Sequence, residues 1–291
     1  MQKIQKRRND LCICGSGLKY KKCCLLRDDQ KIKPNVSEKT LVDAFRSNGK
    51  GAPAMMTTTN EPFMPIRLYY TILDKKAFLD QLHALKCVEF ESKKHFLISY
   101  WKEAGALSLS VKPTYVPKNL YPIIIAHGYI VRENQLHLDL RSFTRGVEMI
   151  KWINAHIRST DLKLTHVASY NVITMVNAEN FDTVMGQNYD ELFATPHMVI
   201  IDPQKKIKEL KAAVAQGKNN DERMQIATQL LDAIGEEDFA RIEKYPVHYY
   251  EDGIGSIEHG LNLSMAVAIE HWKGNTTCKP IHIIKKGLEL D

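Results

Sequence analysis

Four cysteines within the first 24 residues carry the most specific chemistry in the chain: Cys12 and Cys14 around a single residue, a Gly15-Ser16-Gly17 turn, and the adjacent pair Cys23-Cys24. Four soft thiolates delivered by so short a loop are the donor set of a tetrahedral zinc site, with iron the other metal such a set would take. Gly15 and Gly17 admit backbone angles that a Cβ would resist, so the chain can fold back and bring the second pair beside the first. A unit of this size buries no core, and metal binding would supply most of its folding energy, on the order of 10–16 kcal/mol for comparable zinc peptides. A disulfide pair and a set of reactive thiols are the competing readings. Adjacent Cys23 and Cys24 do not easily bridge each other, and the first ten residues are polar and basic with no apolar signal-peptide segment, so metal is the expected use.

The run Arg8-Asn9-Asp10-Leu11-Cys12-Ile13-Cys14-Gly15-Ser16-Gly17-Leu18-Lys19-Tyr20-Lys21-Lys22-Cys23-Cys24 resembles a SEC-C motif, the small zinc knuckle best known from the C-terminal tail of the SecA translocation ATPase. The resemblance implies Cys12, Cys14, Cys23 and Cys24 as ligands of a structural Zn²⁺. It also implies a docking role, since in SecA the knuckle meets the chaperone SecB and the ribosome. Leu11 and Ile13 stand where proline is usual and Leu18 where lysine is common, departures that leave the ligands intact. The likeness spans about 20 of the 291 residues, and the remainder resembles no family.

Charge points the same way. The chain carries a formal +6, yet residues 1–33 hold ten Lys and Arg against three Asp, which leaves −1 for everything after them. Arg7, Arg8, Lys19, Lys21 and Lys22 form a basic patch around Tyr20, suited to a phosphate backbone with an unpaired base stacked on the ring. The plainer reading is that these lysines keep a small metal module in solution. A hydrophobic content of 44% and the absence of any run near ~20 apolar residues predict a soluble, cytoplasmic protein without a membrane span.

The elements behind the knuckle predict an α+β body. We expect the knuckle over 1–30, a short helix capped by Ser37 and a turn-rich linker over 31–60, an α+β domain over 61–203, and a helix-rich region over 204–291. Alternation predicts strands over 66–73, 96–101, 107–111, 123–131 and 136–140, the last two joined by a hairpin at Arg132-Glu133-Asn134-Gln135. Helical spacing predicts a helix over 75–87 and another capped by Ser142 that buries Phe143, Val147, Ile150, Ile153 and Ile157. Strands are further expected over 164–170, 172–176 and 198–201, helices over 205–215, 222–234, 237–242 and 256–272, and a closing strand over 281–284. Together these give a mostly antiparallel sheet with helices laid on it and a helical C-terminal part.

No catalytic signature completes itself in this body. His197 and Asp202 bracket a strand that looks buried, at opposite ends, and the Asp-Pro pair reads as turn chemistry. Asp139 and Arg141 share one strand face and Glu148 follows on the next helix, but no spacing adds the further acids a Mg²⁺ nuclease needs, and a solvated strand face is the expectation. The stretch from Asp252 to Gly260 opens a helix without a phosphate-loop pattern, and Glu258, His259, Glu270 and His271 lack metalloprotease spacing. Cys87 and Cys278 are isolated and read as buried small residues. The sequence therefore predicts a zinc-binding protein whose basic knuckle docks an α+β body onto a protein or ribonucleoprotein partner, whether ribosome, RNA or a secretion component. The alternative is a hydrolase or nucleotide-processing enzyme that the knuckle targets, in which several of Asp139, Glu148, His197, Asp202, Glu258 and His259 would converge.

Overall fold

The computed structural model describes residues 53–176, 188–194, 198–247 and 255–288, together with 184, 186 and 196. Cys12, Cys14, Cys23, Cys24, Arg7, Arg8, Lys19, Tyr20, Lys21 and Lys22 lie outside the described residues, as do His197 and Asp252.

Eight strands form one sheet: β1 (Ile66–Ile72), β2 (Val88–Phe90), β3 (His95–Ser99), β4 (Ile124–Arg132), β5 (Gln135–Leu140), β6 (Leu162–Tyr170), β7 (Val199–Ile200) and β8 (Ile242–Pro246), in the order β2-β3-β4-β5-β1-β6-β8-β7. All pairings are antiparallel except the parallel contact of β7 with β8. The helices are α1 (Lys75–Ala84), α2 (Phe143–His156), α3 (Tyr189–Leu192), α4 (Pro203–Val214), α5 (Asn220–Glu236), α6 (Gly255–Trp272) and α7 (Pro280–Leu288). This mixed content is the α+β class expected.

Strand alternation sorts the side chains. Ile66, Leu68, Tyr70 and Ile72 of β1 and Leu136, Leu138 and Leu140 of β5 point to one face, where Phe78 and Leu82 of α1, Phe143, Val147, Ile150 and Ile153 of α2, and Ile257, Leu261 and Ala268 of α6 complete the main core. Capping fixes where two of these helices start. Asp74 accepts the Ala77 N–H at 2.9 Å, and Ser142 accepts the Arg145 N–H at 3.2 Å. Gly146 lets α2 settle directly on β1, since a Cβ there would stand 2.7 Å from Ile66 Cδ1.

Several expectations are corrected. Residues 107–111 form no strand: their amides are taken individually, Ser108 N–H by Glu148 (2.8 Å), Ser110 N–H by Glu61 (3.1 Å) and Val111 N–H by the Thr59 carbonyl (3.0 Å). Residues 172–176 make a single bridge, Ala54 to Met175, because they follow the irregular path of 53–63. The expected helix over 237–242 does not form: residues 237–241 are irregular and lead from α5 into β8, which lies between β6 and β7 in the sheet. The stretch 281–284 lies within α7, which opens on Pro280, a residue suited to the first helical position. The β7 strand is not buried, with Val199 50% and Ile200 66% exposed at the sheet edge.

The end of the expected linker, residues 53–60, is packed onto the body. Ala54, Met55, Thr57 and Thr59 are buried, and Glu61 is fully so. Glu61 accepts hydrogen bonds from the Thr59 hydroxyl at 2.6 Å and from the Thr57 hydroxyl, and it lies 3.4 Å from Nε of the buried Arg145. Arg145 in turn donates to Thr59 (2.8 Å), Thr58 (3.2 Å) and the Ile124 carbonyl (3.2 Å). A threonine run that reads as turn-rich linker is thus the hydroxyl cradle of a buried ion pair.

Candidate functional site

The opposite face of the sheet carries the chemistry, arranged in two ranks that cross the strands. Pairing register places His95, Tyr129, His137, Tyr69, His166 and Pro246 side by side from β3 to β8. Two residues along, Leu97, His127, Asp139, Arg67, Ala168, Lys244 and Ile200 form the parallel rank. Residues two apart on a strand share a face, so each strand from β3 to β8 across the sheet donates one member to each rank, and the edge strand β7 adds Ile200 to the second.

Rings in the first rank touch one another. His95 and Tyr129 lie 4.4 Å apart with planes 4° from parallel, a stacked pair. Tyr69 meets His137 edge-to-face at 4.8 Å and His166 at 6.5 Å, while Lys244 Nζ sits 3.9 Å over the Tyr69 ring. Burial, then the Arg67 charge, lowers the His137 pKa to about 4, and its buried Nδ1 has no hydrogen-bond partner among the described residues.

The second rank centres on Arg67, 4% exposed. Its Nε and Nη2 fork onto Asp139 at 2.6 and 2.8 Å, and Nη1 donates to Asp190 of α3 at 2.6 Å. Burial alone would depress the guanidinium, but the two carboxylates reverse this and its pKa is raised. Burial raises the Asp139 carboxyl above the ordinary carboxylate value, against the opposing pull of Arg67. Asp139 is therefore a buried ion-pair partner, 5% exposed, and not a member of the solvated face that its alternation with leucines suggests. Phe193 packs against the Arg67 guanidinium at 5.8 Å, and Tyr189 anchors α3 by donating to the Leu140 carbonyl at 2.9 Å.

Between β1, β4, β5 and α3 lies a cavity of about 270 Å³, lined on its polar side by Arg67, Asp139, Asp190, Arg141, His127 and Tyr129. The same-face relation of Asp139 and Arg141 holds, for both line it. His127 belongs to a chain of contacts: Glu91 lies 2.9 Å from His95 Nδ1, and His95 Nε2 lies 3.4 Å from His127 Nδ1. Burial, followed by the charges of Arg141 and His95, lowers the His127 pKa to about 4.

The other sequence candidates do not converge here. Glu148 and Glu258 share Lys151 on the helical side, at 3.2 and 3.1 Å. Asp202 accepts the Lys205 N–H at the start of α4, His259 is exposed on α6, Glu270 pairs with Lys273, and His271 Nε2 lies 2.8 Å from the Cys278 carbonyl. Cys87 and Cys278 are buried, as expected, and burial pushes the Cys87 thiol up to about 11. Among the described residues, no group of three or more His, Cys, Asp or Glu is placed to hold a metal ion, and no helix is long and apolar enough to cross a membrane. Arg67, Tyr69, His95, His127, Tyr129, His137 and Lys244 were not singled out from the sequence. Their signal was present as Arg-x-Tyr, His-x-Tyr and His-x-Asp alternations within three strands.

Comparison with known proteins bears on the N-terminus alone. Residues 8–26 match the SEC-C motif. The match coincides with the cysteine run and its basic flanks, and the rest of the chain has no recognised family. No curated protein and no solved structure matches the chain.

Proposed function

We propose that this chain is a zinc-dependent docking protein, in which the SEC-C segment attaches an RNA-binding α+β body to a ribonucleoprotein partner. The observation that carries the reading is the coincidence of the SEC-C match at 8–26 with all of the chain's excess positive charge, +7 over residues 1–33. Cys12, Cys14, Cys23 and Cys24 are the donors that would hold the metal; four thiolates suit Zn²⁺ and leave no open coordination position, so the ion's work is structural. Arg7, Arg8, Lys19, Lys21 and Lys22 would meet phosphates, with Tyr20 available to stack.

The body's face supports the same partner class. The rank from His95 to His166 sets phenol and imidazole side chains at the strand spacing, with Lys244 above Tyr69, and such groups hydrogen-bond unpaired bases. The enzymatic alternative draws no support from the five of its residues that are described, since only Asp139 lines the cavity; His197 lies outside the described residues.

The test is co-sedimentation with ribosomes, and fluorescence anisotropy with single-stranded RNA, in low and moderate salt. The intact chain is compared with a Cys23→Ser, Cys24→Ser variant. The intact chain is expected to bind and to weaken as salt rises, and the variant to lose ribosome binding. Equal co-sedimentation of the two refutes the docking role of the knuckle; binding of a secretion chaperone in place of ribosomes and RNA would replace the partner class.

A further inference from the structure

We infer that the cavity between β1, β4, β5 and α3 is a binding site for a phosphate group, with Arg141 supplying the charge and Tyr129 and His127 orienting the oxygens. The inference goes beyond the docking reading and does not depend on the knuckle.

The argument begins with the cations. Arg67 is spent: its fork holds Asp139 and its remaining nitrogen holds Asp190, all at 2.6–2.8 Å. Arg141 lines the same cavity, half-buried, and among the described residues its guanidinium has neither a carboxylate within ion-pair distance nor a hydrogen-bond acceptor. A partly desolvated guanidinium without a partner is costly to the fold unless something anionic completes it, and its planar array of donors matches a phosphate or carboxylate. Of the two carboxylates nearby, Arg67 offsets one charge, and the other is screened by solvent because the Asp190 side chain is 77% exposed.

The neutral groups fit the same guest. Burial raises the Tyr129 pKa, as do the charges of Asp139 and Glu91, so the phenol keeps its proton and can donate it. His127 has Nδ1 engaged with His95, which leaves Nε2 for the cavity. The Glu91 carboxylate only accepts, so His95 carries a proton on Nδ1. His127 Nε2 is then the imidazole atom that meets a phosphate oxygen.

Size and the alternative guest discriminate further. At about 270 Å³ the cavity falls below the ~300–1,000 Å³ of sites that enclose a drug-sized ligand, which suits the phosphate head of a longer molecule. A metal cation is disfavoured, because Arg67 takes both Asp139 oxygens and one of Asp190, and no third acid or imidazole joins them in a metal-holding group among the described residues.

A phosphate of this kind comes either from a free nucleotide or from the end of an RNA. The test titrates the full-length protein with inorganic phosphate and with adenosine 5′-monophosphate by calorimetry at fixed ionic strength, then with single-stranded RNA bearing a 5′-phosphate or a 5′-hydroxyl by anisotropy. Saturable binding is expected, weakened at least tenfold in Arg141→Gln and less in Arg141→Lys, with Lys102→Gln unchanged and melting curves confirming that each variant folds. Preference for the mononucleotide identifies a free ligand, and preference for 5′-phosphorylated over 5′-hydroxyl RNA identifies an RNA end. The Cys23→Ser, Cys24→Ser variant binds phosphate normally, which separates this site from the docking reading. If none of these compounds binds saturably, or if Arg141→Gln binds as well as the parent, the inference is wrong.

Discussion

Replacing Arg145 with methionine tests whether the buried pair with Glu61 is what holds residues 53–64 on the body. Arg145 is 1% and Glu61 0% exposed, so the substitution keeps the side chain's apolar stem but leaves a carboxylate in the interior without its countercharge. Breaking a buried pair by removing one partner costs about 3–5 kcal/mol. Three donor contacts from Arg145, to Thr58, Thr59 and the Ile124 carbonyl, vanish with it. At ~2–4 °C per kcal/mol for a body of this size, the melting temperature should fall by roughly 6–20 °C. Adding Glu61→Gln to the variant removes the stranded charge while keeping an acceptor for Thr59, and should recover about 2 kcal/mol, a coupling energy in the range for residues in direct contact. The assay is urea and thermal unfolding of the four members of the cycle, joined to amide hydrogen exchange. The amides of Met55, Thr57, Phe63 and Met64, bonded to Thr174, Glu61, Met55 and Arg141 respectively, should exchange faster in Arg145→Met. A loss below about 1 kcal/mol with unchanged exchange at those amides would refute the reasoning, and would show that burial of Phe63 and Met64 holds the segment by itself.

Three further outcomes follow from the same structure. His127 and His137 titrate at about 4, below the 6.5 of an unfolded chain, so the unfolded state takes up protons first; their contribution to stability should be lost as pH falls from about 6.5 to about 4, and a His127→Gln, His137→Gln variant should show a shallower fall, with NMR of the imidazole protons reporting the two pKa values directly. Gly128→Val should destabilise by about 1–3 kcal/mol, because a Cβ at that position falls 2.2 Å from the Phe96 ring, and shortening the ring with Phe96→Leu should recover part of the loss in denaturant titrations. Cys87, its thiol pushed up to about 11 by burial, should resist alkylation at pH 8 in the native protein and react at the rate of a free thiol in urea.

The sequence made some elements plain and concealed others for identifiable reasons. The β4–β5 hairpin, the Ser142 cap and the apolar stripe of α2 depend on contacts close in the chain, and each formed as expected. Ile281–Ile284 was misjudged because a short apolar run fits helix and strand equally until its neighbours are known, and 237–241 because a short charged run fits a helix as well as the irregular link it forms between α5 and β8. The candidate site was hidden more deeply. Arg67 and Asp139 are 72 residues apart, and only the strand order that sets β5 against β1 brings them together. Asp139 alternates with leucines just as a solvated residue would; what buries it is Arg67 across the ladder and α3 above. Thr57, Thr58 and Thr59 read as linker because the partners of their hydroxyls, Glu61 and Arg145, differ in kind, one a near neighbour and the other a helix residue more than 80 positions away.

The arrangement also accounts for why a charged pair sits at the centre of this sheet. His127, Tyr129, His137, Asp139 and Arg141 all arrive on the β4–β5 hairpin, whose turn fixes their mutual register locally. β1 must find that hairpin from the far side of α1, β2 and β3, and its apolar face of Ile66, Leu68, Tyr70 and Ile72 would tolerate a shift of two residues against leucines of β5 with little change in burial. Arg67 would not. A one-residue slip turns its guanidinium into the main core, and a two-residue slip sets it opposite His137 or Arg141 and leaves Asp139 buried without a countercharge. The Arg67–Asp139 fork therefore selects the register that aligns Tyr69 with His137 and closes the cavity beside Arg141. Arg67→Met with Asp139→Leu should then retain a stable sheet, yet lose the defined ring contacts of the first rank, visible as broadened aromatic resonances, whereas sharp and unshifted resonances would show that the hairpin and the apolar faces set the register unaided.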